Sequence, residues 1–368
     1  MEVAGACALM DDEKAASPAP RAAVAFYLRS ADITRVAEFD TLIDVRSPAE
    51  FAEDHIPGAI NCPVLDDAER IEVGTIYKQV SPFEARKLGS KLISQNIARH
   101  LAQFNDRPKQ WKPLIYCWRG GQRSAAMNII FSQIGWASHQ LEGGYKAYRL
   151  DALAALASLP QRFSYRVICG PTGSGKSRLL NALARQGHQV IDLEHLAQHR
   201  GSVLGSLPGQ TQPSQKWFDS LLLQVMRQLE PTRPVYIEAE SNKIGSITLP
   251  EALCEAMHRA PCLQVEVPLA ERVRFLLEDY AFYQQQPELL VEQLSILTPR
   301  YGRKQMASWV AMARRGEFSQ LAEILLTRHY DPAYFRSTGS HYRELPNATR
   351  LTIPCLTEAC LNQACASL

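Results

Sequence analysis

The sequence predicts an α/β protein made of two successive parallel-sheet domains, the second carrying a helical extension. Short apolar runs alternate with helical patterns in the first half, the alternation restarts near Ser164, and from Leu269 to Arg328 the patterns become almost wholly helical. Strands separated by helices must pair in parallel, with helices covering both faces of the sheet. The 368 residues exceed one ordinary core and suit two domains.

In chain order, residues 1–24 are Ala-rich, contain Asp11, Asp12 and Glu13, and lack the basic-then-apolar pattern of a signal peptide. A loosely packed N-terminal tail is expected there. Residues 25–145 form the first domain, with strands at 41–45, 59–64, 114–117 and 139–142 and helices at 82–104 and 124–136. An Ala- and Leu-rich helical stretch, 146–160, ends at Pro160 and is expected to link the domains. The second domain, 161–345, has strands at 164–169, 189–193, 235–240 and 262–268. Its helices are expected at 176–186, 215–229 and 250–259, followed by the helical extension at about 269–328. Residues 346–368 are expected to be a surface tail.

Composition narrows the function classes. Hydrophobic residues make up 46% and charged residues 21%, as in globular proteins, and the formal charge is only +2. Any nucleic-acid contact must therefore come from a local basic patch. No 18-residue window is uninterruptedly apolar, so no membrane span and a cytoplasmic location are expected. Nine irregularly spaced cysteines argue for reduced thiols. Cys355, Cys360 and Cys365 lack paired metal-ligand spacing and a nearby His, so no structural zinc is expected, nor haem or flavin.

Gly170-Pro-Thr-Gly173-Ser174-Gly175-Lys176-Ser177 fits G-x-x-x-x-G-K-[ST] at every fixed position, between an expected strand and an expected helix. Such a loop turns backbone N–H groups onto a di- or triphosphate. Lys176 adds a positive charge, and Ser177 can reach Mg²⁺. Glu238 and Glu240, at the end of a later strand, occupy a place suited to a metal-associated carboxylate. Asp192 and Glu194, followed by the polar segment containing Arg200, could reach across the phosphate site. Arg272 and Arg274 begin a helix and are candidate phosphate clamps.

The second motif is Cys117-Trp-Arg119-Gly120-Gly121-Gln-Arg123-Ser124, between a strand and an apolar helix. A cysteine at a helix N-terminus, among backbone N–H groups and two arginines, is favoured as thiolate. Cys117 is thus the candidate nucleophile, with Arg119, Gly120, Gly121 and Arg123 as anion binders.

Together with Asp44-Val-Arg46 and His55-Ile-Pro-Gly58, this loop resembles the rhodanese family of sulfurtransferases over about residues 25 to 145. The resemblance implies fold-supporting roles for Asp44, Arg46 and His55. Five residues separate Cys117 from Arg123, where simple rhodaneses usually have four. The wider loop is similar to those of rhodanese-like phosphatases and arsenate reductases, which admit a tetrahedral oxyanion. The predicted domain order is therefore a rhodanese-like domain followed by a P-loop NTPase-like domain with its helical C-terminal extension.

From about 25 to 345 the chain resembles the tRNA 2-selenouridine synthase family. That resemblance implies a tRNA carrying 2-thiouridine at the wobble position as partner, with geranyl diphosphate and selenophosphate as co-substrates and a selenophosphate-producing enzyme as supplier. It also implies geranylation of sulfur before its replacement by selenium, with prenyl diphosphate on the P-loop. Cys117 would either carry selenium or position its donor. Arg300, Arg303 and Lys304, with the stretch from Trp309 to Arg314 and Arg315, form the candidate tRNA surface. Two alternatives stay open from the residues alone: a sulfurtransferase fused to an independent NTPase or kinase, and a rhodanese-like phosphatase.

Overall fold

A computed structural model describes residues 28–202, 204–205 and 209–368. The expected tail at 1–24 lies outside the described residues. The first sheet has five parallel strands: β1 (Ser30–Ala31), β2 (Thr41–Asp44), β3 (Ile60–Asn61), β4 (Pro113–Tyr116) and β5 (His139–Leu141), in the order β1-β5-β4-β2-β3. The side chains of β4 are buried throughout, as befits a central strand covered on both faces. Around the sheet lie α1 (Pro48–Glu53), α2 (Asp67–Gln79), α3 (Pro82–Leu101), α4 (Gln122–Ile134) and α5 (Gly144–Ser158). Helix α2 had no expectation behind it. Its apolar residues are few, so packing against α3 and a capping box at Asp66 and Glu69 support it where periodicity does not.

The second sheet repeats the logic. Strands β6 (Tyr165–Cys169), β7 (Gln189–Ile191), β8 (Val235–Glu238), β11 (Cys262–Glu266) and β12 (Thr349–Thr352) are all parallel, in the order β12-β11-β6-β8-β7. A small hairpin, β9 (Lys243–Ile244) and β10 (Ile247–Thr248), follows β8. Helices α6 (Lys176–Arg185), α7 (Leu193–Leu196), α8 (Gln215–Arg227) and α9 (Glu251–Arg259) occupy the crossovers. The extension comprises α10 (Leu269–Asp279), α11 (Ala281–Gln285), α12 (Pro287–Ser295), α13 (Thr298–Arg314), α14 (Phe318–Leu325) and α15 (Asp331–His341). It has its own core around Leu294, Trp309, Leu321 and Leu325.

Three expectations need correction. Residues 346–368 are not a tail: β12 completes the edge of the second sheet, and α16 (Glu358–Cys365) buries Leu361 and Cys365 against α6. Strand β12, Thr-Arg-Leu-Thr, has a single apolar, buried residue in a four-residue run, too little to announce itself. Not all thiols are free, because Cys355 and Cys360, with Cα atoms 6.0 Å apart, form a disulfide. The helix expected as a linker is a shared wall. Tyr148, Ala152 and Leu156 of α5 are buried in one core with Phe218 and Leu222 of α8, so the hydrophobic interior runs on from one sheet to the other.

Polar contacts reinforce that wall. Asp54 is buried and accepts hydrogen bonds from Tyr145 (2.6 Å) and Ser220 (2.8 Å), one from each domain. Burial pushes its carboxyl above the ordinary value. His55 is stacked between Phe51 and Trp217, with ring centroids 3.7 and 4.1 Å away. Arg46 is buried in an ion pair with Asp44 at 2.6 Å and donates to the Asp54 carbonyl. The motif residues Asp44, Arg46 and His55 thus support the fold, and the neighbourhood of His55 also docks the second domain.

Candidate functional site

Two glycine-rich loops sit at the carboxyl ends of central strands, where open parallel sheets place their ligands. The first joins β4 to α4. Its Cys117 is buried with 4% of its surface exposed, and Sγ accepts hydrogen bonds from the Gly121 amide and the Ser124 hydroxyl, both at 3.2 Å. The start of α5 braces the loop from behind: the amides of Tyr145 and Lys146 donate to the carbonyls of Cys117 (2.8 Å) and Trp118 (3.0 Å). This approach requires Gly144, at φ +59°, because a Cβ there would lie 2.3 Å from the Cys117 carbonyl oxygen.

Gln140, on β5, was not anticipated. Its side-chain amide donates to Ser124 Oγ (2.7 Å) and to the carbonyls of Gly120 (2.8 Å) and Gly121 (3.1 Å). A hydroxyl that accepts from Gln140 has its own proton free for Sγ, so Gln140 orients the Ser124–Cys117 bond. Only the pairing of β5 beside β4 brings it there, and no local motif signals it.

The two arginines of this loop differ from expectation. Arg123 turns away to Glu50, at 2.7 Å, and is not poised over Sγ. A carboxylate within reach of a partly buried guanidinium outcompetes open solvent. Arg119 is exposed and makes no ion pair among the described residues. The anion-binding groups shown at Cys117 are therefore backbone and hydroxyl donors, with Arg119 the cation left unengaged.

The second loop joins β6 to α6. Gly175, at φ +73°, ends it, and a Cβ there would meet Leu356 at 2.7 Å, so the C-terminal segment packs directly under the phosphate cradle. Lys176 Nζ donates to the Gly170 carbonyl at 3.1 Å, and Tyr334 accepts from the Gly170 amide at 2.6 Å. Arg272 is buried beneath the loop, bonded to the Thr172 carbonyl (2.7 Å) and paired with Asp331 (2.6 Å). It braces the loop from below and is no phosphate clamp. Arg274 pairs with Glu271 and Glu278 on an exposed face, away from the cavity.

A cavity of about 1140 Å³ opens over this loop, lined by residues 172–178, Asp192, Glu194, Arg200 and Glu240 together with Tyr280, Tyr330, Tyr334 and Tyr342. The four tyrosines come from the helical extension and the segment after it, with nothing in their local sequence to mark them. Ser177 donates to Glu194 at 3.0 Å, and the Glu194 amide donates to Glu238 at 2.7 Å. Glu238 is fully buried, and its second carboxylate oxygen has no partner. Burial, with Glu194 and Asp192 nearby, pushes the Glu238 carboxyl well above its ordinary value. Burial and Glu194 push Glu240 up to about 8. Burial also raises Glu194, against the opposing pull of Lys176, and raises Asp192. Asp192 caps α7 by accepting from the His195 amide at 2.8 Å. Arg200 is paired with Asp279 and lies over the Tyr280 ring.

The donor set of Ser177, Glu194 and Glu240 is hard oxygen, the kind Mg²⁺ takes. Among the described residues no three His, Cys, Asp or Glu side chains form a ready metal cage. An ion held there would complete its shell from phosphate and water, as Mg²⁺ commonly does. None of residues 117–124 lines this cavity.

The candidate tRNA residues divide. Arg300 lies at the cavity, and Arg303 and Lys304 are exposed just beyond a break in α13 at Gly302. Arg314 and Arg315 are exposed but paired with Glu288 (2.9 Å) and Glu317 (2.7 Å). Trp309 is 1% exposed in the core of the extension and is not available to stack on a base. No helix among the described residues is long and apolar enough to cross a membrane.

Family comparisons follow this division. Residues 30–151 match the rhodanese-like domain, and residues 163–347 match the AAA domain of tRNA 2-selenouridine synthase. A tRNA 2-selenouridine synthase from Aeromonas salmonicida is 31% identical over 350 residues, covering 84% of this chain and 91% of that protein. One from Hydrogenovibrio crunogenus is 34% identical, covering 80% and 88%. One from Nitrosomonas europaea is 38% identical, covering 68% of this chain and 66% of its own length. A crystal structure of the N-terminal domain of a putative ATP/GTP binding protein from Clostridium difficile 630 is 38% identical over 34% of this chain and 98% of that chain, with a TM-score of 0.32. With a rhodanese-like domain and a P-loop domain in one chain, and relatives of this identity over most of its length, the chain belongs to the tRNA 2-selenouridine synthase family.

Proposed function

We propose that the chain converts wobble 2-thiouridine in tRNA to 2-selenouridine in two steps, one for each loop. In the first, the thio sulfur attacks the first carbon of geranyl diphosphate. The carbon–oxygen bond breaks, diphosphate leaves, and the uracil ring gives up its N3 proton. In the second, selenium from selenophosphate adds at carbon 2 and geranylthiol departs, while water takes the phosphoryl group as the phosphorus–selenium bond breaks.

The observation that carries this reading is the presence, in one chain, of a buried thiol held by anion-binding donors and a phosphate cradle under a large cavity. Lys176 and the amides of Gly173 to Ser177 would hold the departing diphosphate, where a preorganised positive site lowers the barrier most. Mg²⁺, bound through Ser177 with Glu194 and Glu240 nearby, would neutralise charge on that leaving group. Burial raises the Glu238 carboxyl well above its ordinary value, which lessens its repulsion of that leaving group. At the other loop, Cys117, the Gly121 amide and Arg119 would receive selenophosphate. We assign Arg300, Arg303 and Lys304 to the tRNA phosphates, and place the reaction in the cytoplasm, with a selenophosphate-producing enzyme as supplier.

The deciding experiment incubates the full chain with RNA containing 2-thiouridine, geranyl diphosphate, selenophosphate and Mg²⁺, and reads the nucleosides by mass spectrometry. S-geranyl-2-thiouridine with geranyl diphosphate alone, and 2-selenouridine once selenophosphate is added, is the expected result. Vigorous ATP hydrolysis without RNA, and unchanged nucleosides, would replace this reading with a sulfurtransferase fused to an NTPase.

A further inference from the structure

A second cavity, of about 90 Å³, adjoins the phosphate cavity on the side of the helical extension. The two share Thr172, Ser202, Leu276, Tyr280 and Tyr330 as walls, so they lie side by side next to the Gly170–Ser177 loop. The walls differ sharply. The large cavity is lined by Lys176, carboxylates and arginines, whereas the small one is almost wholly carbon, with Leu277, Phe318, Ala322 and Leu325 among its walls. A ligand that fills both must carry phosphate at one end and hydrocarbon at the other. A purine with its ring nitrogens would leave polar atoms unpaired in the small cavity.

We infer that this apolar cavity binds the end of the donor's isoprenoid chain and limits the chain length the enzyme accepts. The inference rests on the prenyl-diphosphate reading of the P-loop and assigns residues to it. Size sets how much of the chain enters. A dry protein cavity of about 150 Å³ accommodates benzene, with six carbons. By that measure a cavity of about 90 Å³ takes about four carbons, most of one five-carbon isoprene unit. In a ten-carbon donor that is the unit distal to the diphosphate, while the proximal unit passes Thr172, Leu276 and Tyr280 on its way from the cradle. Ala322, on α14, is the alanine among the walls of this cavity, so a larger side chain there would reduce its room.

The test is calorimetric binding of four Mg²⁺-loaded probes to the full chain: inorganic diphosphate, dimethylallyl diphosphate, geranyl diphosphate and farnesyl diphosphate. Burial of one isoprene unit, at about 0.8 kcal/mol per carbon, should make geranyl diphosphate on the order of 100- to 1000-fold tighter than dimethylallyl diphosphate. The farnesyl chain should gain nothing further. Ala322→Phe, which fills the cavity, should bring geranyl diphosphate to the dimethylallyl level, with inorganic diphosphate affinity unchanged as the measure of an intact cradle. The opposite change, Leu277→Ala, should improve farnesyl diphosphate relative to geranyl and guards against misfolding of the filled variant. If geranyl diphosphate keeps its advantage in Ala322→Phe while inorganic diphosphate still binds, the chain lies elsewhere and the inference fails, but the donor assignment stands. If no prenyl diphosphate binds better than inorganic diphosphate to the parent chain, and a nucleoside triphosphate does, the donor assignment fails and the inference falls with it.

Discussion

The Cys117 loop and the Gly170–Ser177 loop have the same local design, a buried parallel strand turning through glycines into a helix N-terminus, and yet they form opposite kinds of site. Around Cys117 the protein closes in: α5 braces the loop, Gln140 and Ser124 fill its hydrogen bonds, and the thiol is 4% exposed. Around Lys176 the protein stands back, and carboxylates and tyrosines from distant segments wall a cavity of about 1140 Å³. The Cys117 site is tightly packed, whereas the Lys176 site opens on a large cavity. What a strand-loop-helix anion site does is decided by the elements packed around it.

The sharpest way to break this division is to disable one loop and ask whether the other step survives. Cys117→Ser should lower selenium incorporation about 1000-fold or more while S-geranylation continues, because only the Cys117 loop loses its sulfur. Loss of both products would mean the loops share one site. Lys176→Ala should cut geranyl transfer on the order of 100-fold or more, yet a pre-geranylated RNA should still accept selenium. Equal loss of both steps would remove the assignment of the P-loop to the prenyl donor.

Smaller effects sharpen the picture of each wall. Gln140→Leu removes the donor that holds Ser124 Oγ and lets the Ser124 hydroxyl turn to the Gly121 carbonyl, itself 3.2 Å away. Alkylation of Cys117 by iodoacetamide at neutral pH should then slow by roughly 3- to 10-fold. An unchanged rate would reduce Gln140 to a packing residue.

The carboxylate wall gives a pH signature. Glu238 and Glu240 have folded-state values raised above their unfolded ones, so the native protein binds more protons in the window from about 4.5 up to about 8. Stability should fall as pH rises through that window. Thermal melting without divalent cations should therefore drop by several degrees between pH 5 and pH 8.5. Glu238→Gln, which is neutral throughout, should flatten the dependence. A melting temperature that rises over this range would contradict the crowded-carboxylate account.

The smallest effect expected is at Arg314 and Arg315, whose salt bridges to Glu288 and Glu317 leave little charge to spare. Changing both to Ala should alter tRNA affinity by less than about 2-fold. Changing Arg300 and Arg303 together should weaken binding more and reduce its salt dependence.

Much of the site was legible because its chemistry is local. The two loops announce themselves through glycines, a cysteine or lysine, and a flanking strand and helix, and short-range geometry alone dictates those residues. The carboxylates Asp192, Glu194, Glu238 and Glu240 were legible as strand-end residues of a parallel sheet, since carboxyl ends converge on one edge. Arg123 and Arg272 misled for a common reason: spacing places an arginine near an anion site, but a nearer carboxylate, Glu50 or Asp331, takes the guanidinium. Trp309 misled because its basic neighbours mark a surface while its own position on α13 faces inward.

By itself, the sequence determined the two α/β domains, their order, and the cysteine-bearing and glycine-rich strand-loop-helix turns within them, because periodicity and glycine placement act within a few residues. Tertiary structure decided the rest: β12 and α16 as part of the second sheet, α5 as the wall joining the domains, Gln140 behind Cys117, and the tyrosine and leucine walls of the cavities. Those features depend on residues distant in sequence reaching the same few ångströms, as Tyr334 does at Gly170 from 164 positions away. Such meetings are set by sheet order and by how the helical extension folds back, which no local pattern encodes.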